Sequence, residues 1–123
     1  MQYMALLYDD ETSDQDATPE QMQAVLQRYF AFNEEAKAAG VFVAGDALKP
    51  TATATCVRNR EGKMLMTDGP FAETKEQLGG YYLLECKDLD EALKWAAKIP
   101  VADSGTVEVR PVLDVNALYG DET

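Results

Sequence analysis

The sequence predicts an α+β fold: a ferredoxin-like antiparallel sheet with two helices on one face. Three observations carry that expectation. Segments with strand and helix character follow one another as strand-helix-strand, a hairpin, then strand-helix-strand, and two such units in a short chain close into one sheet. The length, 123 residues and 13.6 kDa, fits one domain, 1–123. The run Tyr81-Tyr82-Leu83-Leu84 is apolar without alternation, so both faces of its strand need covering. Two helices cover only one face. The other is expected to meet a second copy of the chain, making a homodimer, unless the hairpin folds over it.

Residues 2–8 read as a strand, ended by an acidic loop over 9–16. Thr18 opens a long helix, because it can cap the first turn, Pro19 fits the first helical position and Gln21 completes a capping-box pattern. Met22, Val25, Leu26, Tyr29, Phe30 and Ala36 recur near helical spacing and predict one apolar face. Gly40 ends the helix as a left-handed cap. Residues 41–48 form the next strand, closed by Pro50. Residues 51–58 and 63–67 are the arms of a hairpin turning through 59–62. An irregular stretch, 68–79, precedes a strand over 80–86. Asp88 caps a second helix with Glu91 at the capping-box position. Leu89, Ala92, Leu93 and Ala96 form its predicted buried face, with Trp95 off that face. Lys94 and Lys98 suit the dipole at its end, and Pro100 stops it. Residues 106–112 are the last strand.

Composition excludes several roles. Hydrophobic residues at 46% and charged residues at 27% are a globular balance, not a disordered one. Surface scaling puts a folded monomer of this mass at roughly 6,600 Å² exposed. Twenty-two acids against eleven bases give a net charge of −11. Nucleic acids and anionic membranes are bound through Lys and Arg, so neither is an expected partner. The acids gather near the ends, at Asp9, Asp10, Glu11, Asp14 and Asp16, and at Asp121 and Glu122. They read as solubilising charge, with an acidic interaction tail as the minority reading.

Cys56 and Cys86 lie in strand-like runs, no CxxC pattern occurs and there is no histidine. No metal site and no cofactor are therefore expected, beyond weak magnesium or calcium binding by surface acids. Free buried cysteines suit a reducing cytoplasm. Nothing basic is placed to activate either thiol as a nucleophile. The apolar run at the N-terminus is too short for a signal peptide or a membrane span, which makes the cytoplasm the expected location.

The stretch 67–80, TDGPFAETKEQLGG, is a poor core segment: polar, charged and kinked. Gly69 and Pro70 make a sharp turn that holds Asp68 at a bend. Gly79 and Gly80 let backbone or ligand approach closely. Loops of this kind on a rigid sheet are where sites tend to lie. Asp68 is a candidate general acid or base, or a side-chain cap of its own turn. Glu73 and Glu76 suit a cation or a basic ligand group, or a solvated loop face. Lys75 suits an anionic ligand group or an ion pair with a neighbouring glutamate. Arg110 can pair with the acidic loop or hold a ligand carboxylate. Phe71, Tyr81 and Tyr82 can line an apolar cavity, or pack in the core or a dimer interface. Asp68, Lys75 and Arg110 are expected to border one cavity beside the turn.

The run DGPFAETKEQLGGYYLLE, with DLDEALKWAAKIP, TVEVRP and FNEEAKAAGVFVAGDALKP, closely resembles the DGPF family of the YCII-related superfamily over nearly the whole chain. The resemblance implies a dimeric α+β barrel, in which two ferredoxin-like sheets pack face to face. Members of that family are mostly uncharacterised, and many are encoded beside, or fused to, extracytoplasmic-function sigma factors. Related YCII-like proteins carry a histidine and an aspartate proposed as a catalytic pair. Only the aspartate has a counterpart here, Asp68. The expected function is a small-molecule binding protein or enzyme with its pocket between the sheet and the DGPF loop. The alternative is a regulatory module that works with a sigma factor.

Overall fold

A computed structural model describes residues 1–119, so the acidic pair Asp121 and Glu122 lies outside the described residues. The elements follow the predicted order: β1 (Gln2–Asp9), α1 (Pro19–Ala38), β2 (Phe42–Ala47), β3 (Thr55–Arg60), β4 (Lys63–Asp68), β5 (Gln77–Glu85), α2 (Leu89–Ala96) and β6 (Thr106–Pro111). A short helix, α3 (Val115–Tyr119), was not anticipated. Strands β2, β5, β1 and β6 form one sheet in that spatial order, every neighbouring pair antiparallel. This is the ferredoxin-like arrangement, with the β3–β4 hairpin inserted as a separate two-stranded sheet.

Helix boundaries follow local chemistry. The Thr18 hydroxyl accepts from the Gln21 N–H at 3.1 Å, while the Gln21 side chain accepts from the Thr18 N–H at 2.9 Å. Together they satisfy donors that a helix start leaves orphaned. Gly40, at φ +74, turns the chain out of α1, and the Val41 N–H returns to the Ala36 carbonyl at 2.9 Å. Asp88 accepts from the Glu91 N–H at 2.9 Å to start α2. The hairpin turns at Glu61 and Gly62, at φ 51 and 77, a two-residue turn that suits strand twist. Its strands therefore run on to Arg60 and from Lys63, so Asn59 and Arg60 belong to β3 rather than to the turn.

Alternation along β1 and β5 sorts the two faces. Tyr3, Ala5, Leu7, Tyr82 and Leu84 are buried beneath both helices, packed with Phe32, Ala36, Ala92 and Ile99. Met4, Leu6, Tyr81 and Leu83 point the other way and are half-buried. The hairpin does not cover them, because β3 and β4 are themselves almost wholly exposed. The chain exposes 9192 Å² in all, well above the roughly 6,600 Å² of a compact monomer of its mass.

Two expected helix faces are corrected. In α1 only Phe32 and Ala36 are buried, whereas Met22, Val25, Leu26 and Phe30 are exposed. In α2 Ala92 and Ala96 are buried but Leu89 and Leu93 are 46% and 47% exposed. Trp95 instead packs on the core, its ring 6.1 Å from that of Phe32. The physical reason is spacing: small alanines let α2 lie close to the sheet, which leaves the bulky flanking leucines at its edges.

Candidate functional site

The C-terminal half of α1 packs on the sheet through Phe32 and Ala36, and its N-terminal half carries apolar side chains that the core does not take up. Between that half and the sheet lies a cavity of about 720 Å³, within the size range of small-molecule sites. Leu7, Gly45, Gly80 and Tyr82 come to it from the sheet, Val25, Leu26, Tyr29 and Asn33 from α1, and Pro100 and Val101 from the turn after α2.

The strands are shaped for this. A β-carbon on Gly45 would fall 2.6 Å from the Tyr82 ring, and one on Gly80 would fall 2.9 Å from the Asp46 carbonyl oxygen. Side chains at either position would force the β2–β5 edge apart. Leu7 pairs with Gly80 but Tyr8 pairs with Leu78, a bulge of the kind often found beside functional sites. Gly79, the extra residue, accepts the Leu48 N–H at 2.8 Å.

Polar groups ring the cavity. The Tyr82 hydroxyl donates to Asn33 Oδ1 at 2.6 Å. Burial, helped by neighbouring Tyr29, pushes the Tyr82 phenol up to about 12, so it stays a neutral donor at ordinary pH. The Tyr81 hydroxyl donates to Asp46 Oδ2 at 2.8 Å, and that bond raises its own pKa. Arg28 of α1 bridges to Asp103, beyond α2, at 2.7 Å. Asp9 accepts from the Asp10 N–H at 2.9 Å and from the Ser104 hydroxyl at 2.8 Å. The Asp10 carboxyl is held low by hydrogen bonds from the hydroxyl and N–H of Thr12, with Lys75 adding to the effect. Glu11 accepts from the N–H and hydroxyl of Thr51 at 2.7 and 2.8 Å.

Of the residues singled out from sequence, the structure brings Tyr81 and Tyr82 to this cavity. Tyr82 lies on the helix-covered face, Tyr81 on the other. Asp68 ends β4, paired in register with Thr55 and exposed. No hydrogen bond to its carboxylate is found among the described residues; just beyond it the Gly69 N–H donates to the Ala54 carbonyl at 2.7 Å, continuing the β3–β4 ladder. The turn-cap bond considered for Asp68 is thus not formed. Phe71 is 82% exposed, and Glu73 and Lys75 are exposed in the same loop. Glu76 accepts from the Thr106 hydroxyl at 2.9 Å. Arg110 stands on the open face of β6 and acts electrostatically on Tyr8. The cavity lining includes Asp9, Asp10, Glu11 and Arg28, but not Asp68, Lys75 or Arg110.

Sequence reasoning assigned Val25, Leu26 and Tyr29 to core and passed over Asn33. One signal was present: Asn33 falls seven residues after Leu26 and four after Tyr29, a polar interruption of an apolar helical stripe. Burial pushes the Cys86 thiol up, which keeps it from acting as a thiolate. Among the described residues no group of three or more cysteines and carboxylates is placed to hold a metal ion, and no helix is long and apolar enough to cross a membrane.

Residues 1–116 match the family model of the YCII-related domain. An uncharacterized protein of Rhizobium meliloti (strain 1021) is 39% identical over 121 residues, spanning 97% of this chain and 94% of that protein. The chain belongs to the YCII-related domain family. A solved structure, the 5-chloro-2-hydroxyhydroquinone dehydrochlorinase TftG of Burkholderia phenoliruptrix AC1100 in complex with 2,5-dihydroxybenzoquinone, aligns at a TM-score of 0.48 with 15% identity, covering 92% of this chain and 94% of that one.

Proposed function

We propose that this member of the YCII-related domain family binds a small molecule in the cavity between α1 and the sheet, and does so as a homodimer joined through the open sheet face. The observation that carries the binding reading is the cavity itself: about 720 Å³, with Leu7, Val25, Leu26 and Val101 among its apolar walls and a few fixed polar groups around it. That combination is what small-molecule sites use, with apolar wall for affinity and sparse polar groups for orientation. A tryptophan at the exposed position Leu26 fills the cavity without entering the core. Leu26→Trp is therefore expected to keep the melting temperature within about 2 °C, the size of a surface substitution. It should also abolish every chemical-shift perturbation that a fragment library produces at Val25, Tyr82 and Val101. Fragments that bind the variant unchanged would retire the cavity as the site.

The dimer rests on the half-buried apolar face of Met4, Leu6 and Leu83, and on the surface left exposed beyond that of a compact monomer. Face-to-face packing of two such sheets would be the dimeric α+β barrel. Light scattering is expected to give about twice 13.6 kDa at micromolar concentration, and Leu83→Arg to halve it. A wild-type mass of 13.6 kDa throughout that range ends the proposal. Asp68, Phe71, Glu73, Lys75 and Arg110 remain proposed contributors only to a second site, formed where the loop and open face meet a partner copy. No observation favours the sigma-factor alternative.

A further inference from the structure

Resting on the reading that the cavity is the ligand site, we infer that its ligand is an organic cation: a compact apolar or aromatic body ending in an ammonium group. The carboxylates alone would not make a site. What makes one is their position on a cavity whose interior is of a different chemistry.

The inner surface is apolar. Leu7, Tyr82 and Val101 are each at most 7% exposed, and Tyr82 spends its hydroxyl on Asn33. Nothing there offers a charge, so the deep end of the ligand is uncharged. The edge is the reverse. Asp9 lines it from the end of β1, Asp10 and Glu11 from the segment that follows, and Asp103 from beyond α2; the lining includes one cation, Arg28, already paired with Asp103 at 2.7 Å. Asp46 is also among the lining residues, but its carboxylate is bonded to Tyr81 on the other face of the sheet and is not part of this charged edge.

A carboxylate accepts about four hydrogen bonds. Asp9, with two partners among the described residues, keeps acceptor capacity. Its bonds and those of Glu11 to Thr51 fix the carboxylates before a ligand arrives. Tyr29 adds an aromatic ring to the wall, a surface that attracts ammonium groups and not carboxylates. The field of the whole chain has the same sign, at a net charge of −11, which draws cations to the cleft and repels anions. A phosphate or carboxylate ligand would meet the carboxylates of Asp9, Asp10 and Glu11 beside an Arg28 already paired with Asp103, with Lys75 acting on Asp10 from outside the lining.

The test is a shape-matched series read by calorimetry and by amide shifts at Val25, Tyr82 and Val101: 3-phenylpropan-1-amine, 3-phenylpropan-1-ol and 3-phenylpropanoate. The amine is expected to bind at least tenfold more tightly than the alcohol, and the carboxylate not at all. The amine's advantage should shrink several-fold between 20 and 300 mM salt, because part of the edge is solvent-exposed. Arg28→Gln removes the lining cation and is expected to strengthen amine binding two- to fivefold with no change for the alcohol. A purely structural role for Arg28 would weaken both. Equal binding of amine and alcohol at the cavity overturns the cation inference and leaves the cavity reading intact. Failure of all three to shift the cavity residues, while library fragments still do, also overturns it. Failure of every fragment overturns both readings.

Discussion

The two ends of α1 are built to different standards. At its C-terminal end Phe32 and Ala36 meet Leu84, Ala92 and Ile99, all at or below 3% exposure, with Phe32 and Tyr82 edge to face at 5.0 Å. Toward its N-terminal end Met22, Val25 and Leu26 are 45–53% exposed, the last two lining a cavity, although the helix is one unbroken element with a full capping box. Backbone hydrogen bonding and capping make the helix at both ends; side-chain packing makes a core only at one. Apolar surface left uncovered at a site ringed with fixed polar groups marks where something else is to be covered.

The largest expected effect tests the packed end. Leu84, at 0% exposure in the middle of the sheet, should lose about 2–5 kcal/mol of stability on Leu84→Ala, measured by denaturant unfolding, as buried leucines do. A cost under about 1 kcal/mol would mean that this end is loosely packed and that the contrast is false.

Tyr82 joins the two regions, and pH separates its contributions. Its folded pKa of about 12 lies above the ordinary value of 10.0. The folded state therefore holds the phenolic proton more tightly, and its share of stability is whole below pH 10 and lost as pH rises to about 12. Tyr82→Phe should cost about 1 kcal/mol at neutral pH by leaving the Asn33 carbonyl without its donor. It should also flatten the decline in stability from pH 10 to 12 relative to wild type. An unchanged slope would show that Tyr82 is solvated and that the cavity floor is wet.

The smallest effect belongs to the hairpin. Met66 is 64% exposed on β4, so Met66→Ser should change stability by less than about 0.5 kcal/mol. An isolated two-stranded hairpin is marginal in water. A loss above about 1.5 kcal/mol that grows with protein concentration would show that a second copy covers this arm too.

Much of this was legible in residue order, and for local reasons. The Thr18–Gln21 box, Gly40 at positive φ and the Asp88 cap depend on a few neighbouring residues whose chemistry is fixed wherever they sit. The strands declared themselves by β-branched and apolar runs between turns, and the Tyr81–Leu84 run falls on β5 with Tyr82 and Leu84 buried and Tyr81 and Leu83 half-buried. Family membership was carried by long specific stretches over nearly the whole chain. The same local reading was blind to distance. Helical spacing says which side chains share a face, but not how closely that face approaches the sheet. Val25 and Leu26 therefore read as core when they wall a cavity, and Leu93 read as buried when the alanines beside it hold α2 close. Asp9, Asp10 and Glu11 read as solubilising charge, because only the meeting of β1, α1 and the turn after α2 gives them an apolar cavity to ring. Asp68, the most conspicuous residue of its loop, keeps an exposed carboxylate at the end of β4, outside the cavity lining. Sequence alone determined the main elements, their order and the capped ends of α1 and α2. Where apolar surface remains uncovered, and which charges stand beside it, was decided by packing between segments far apart in the chain.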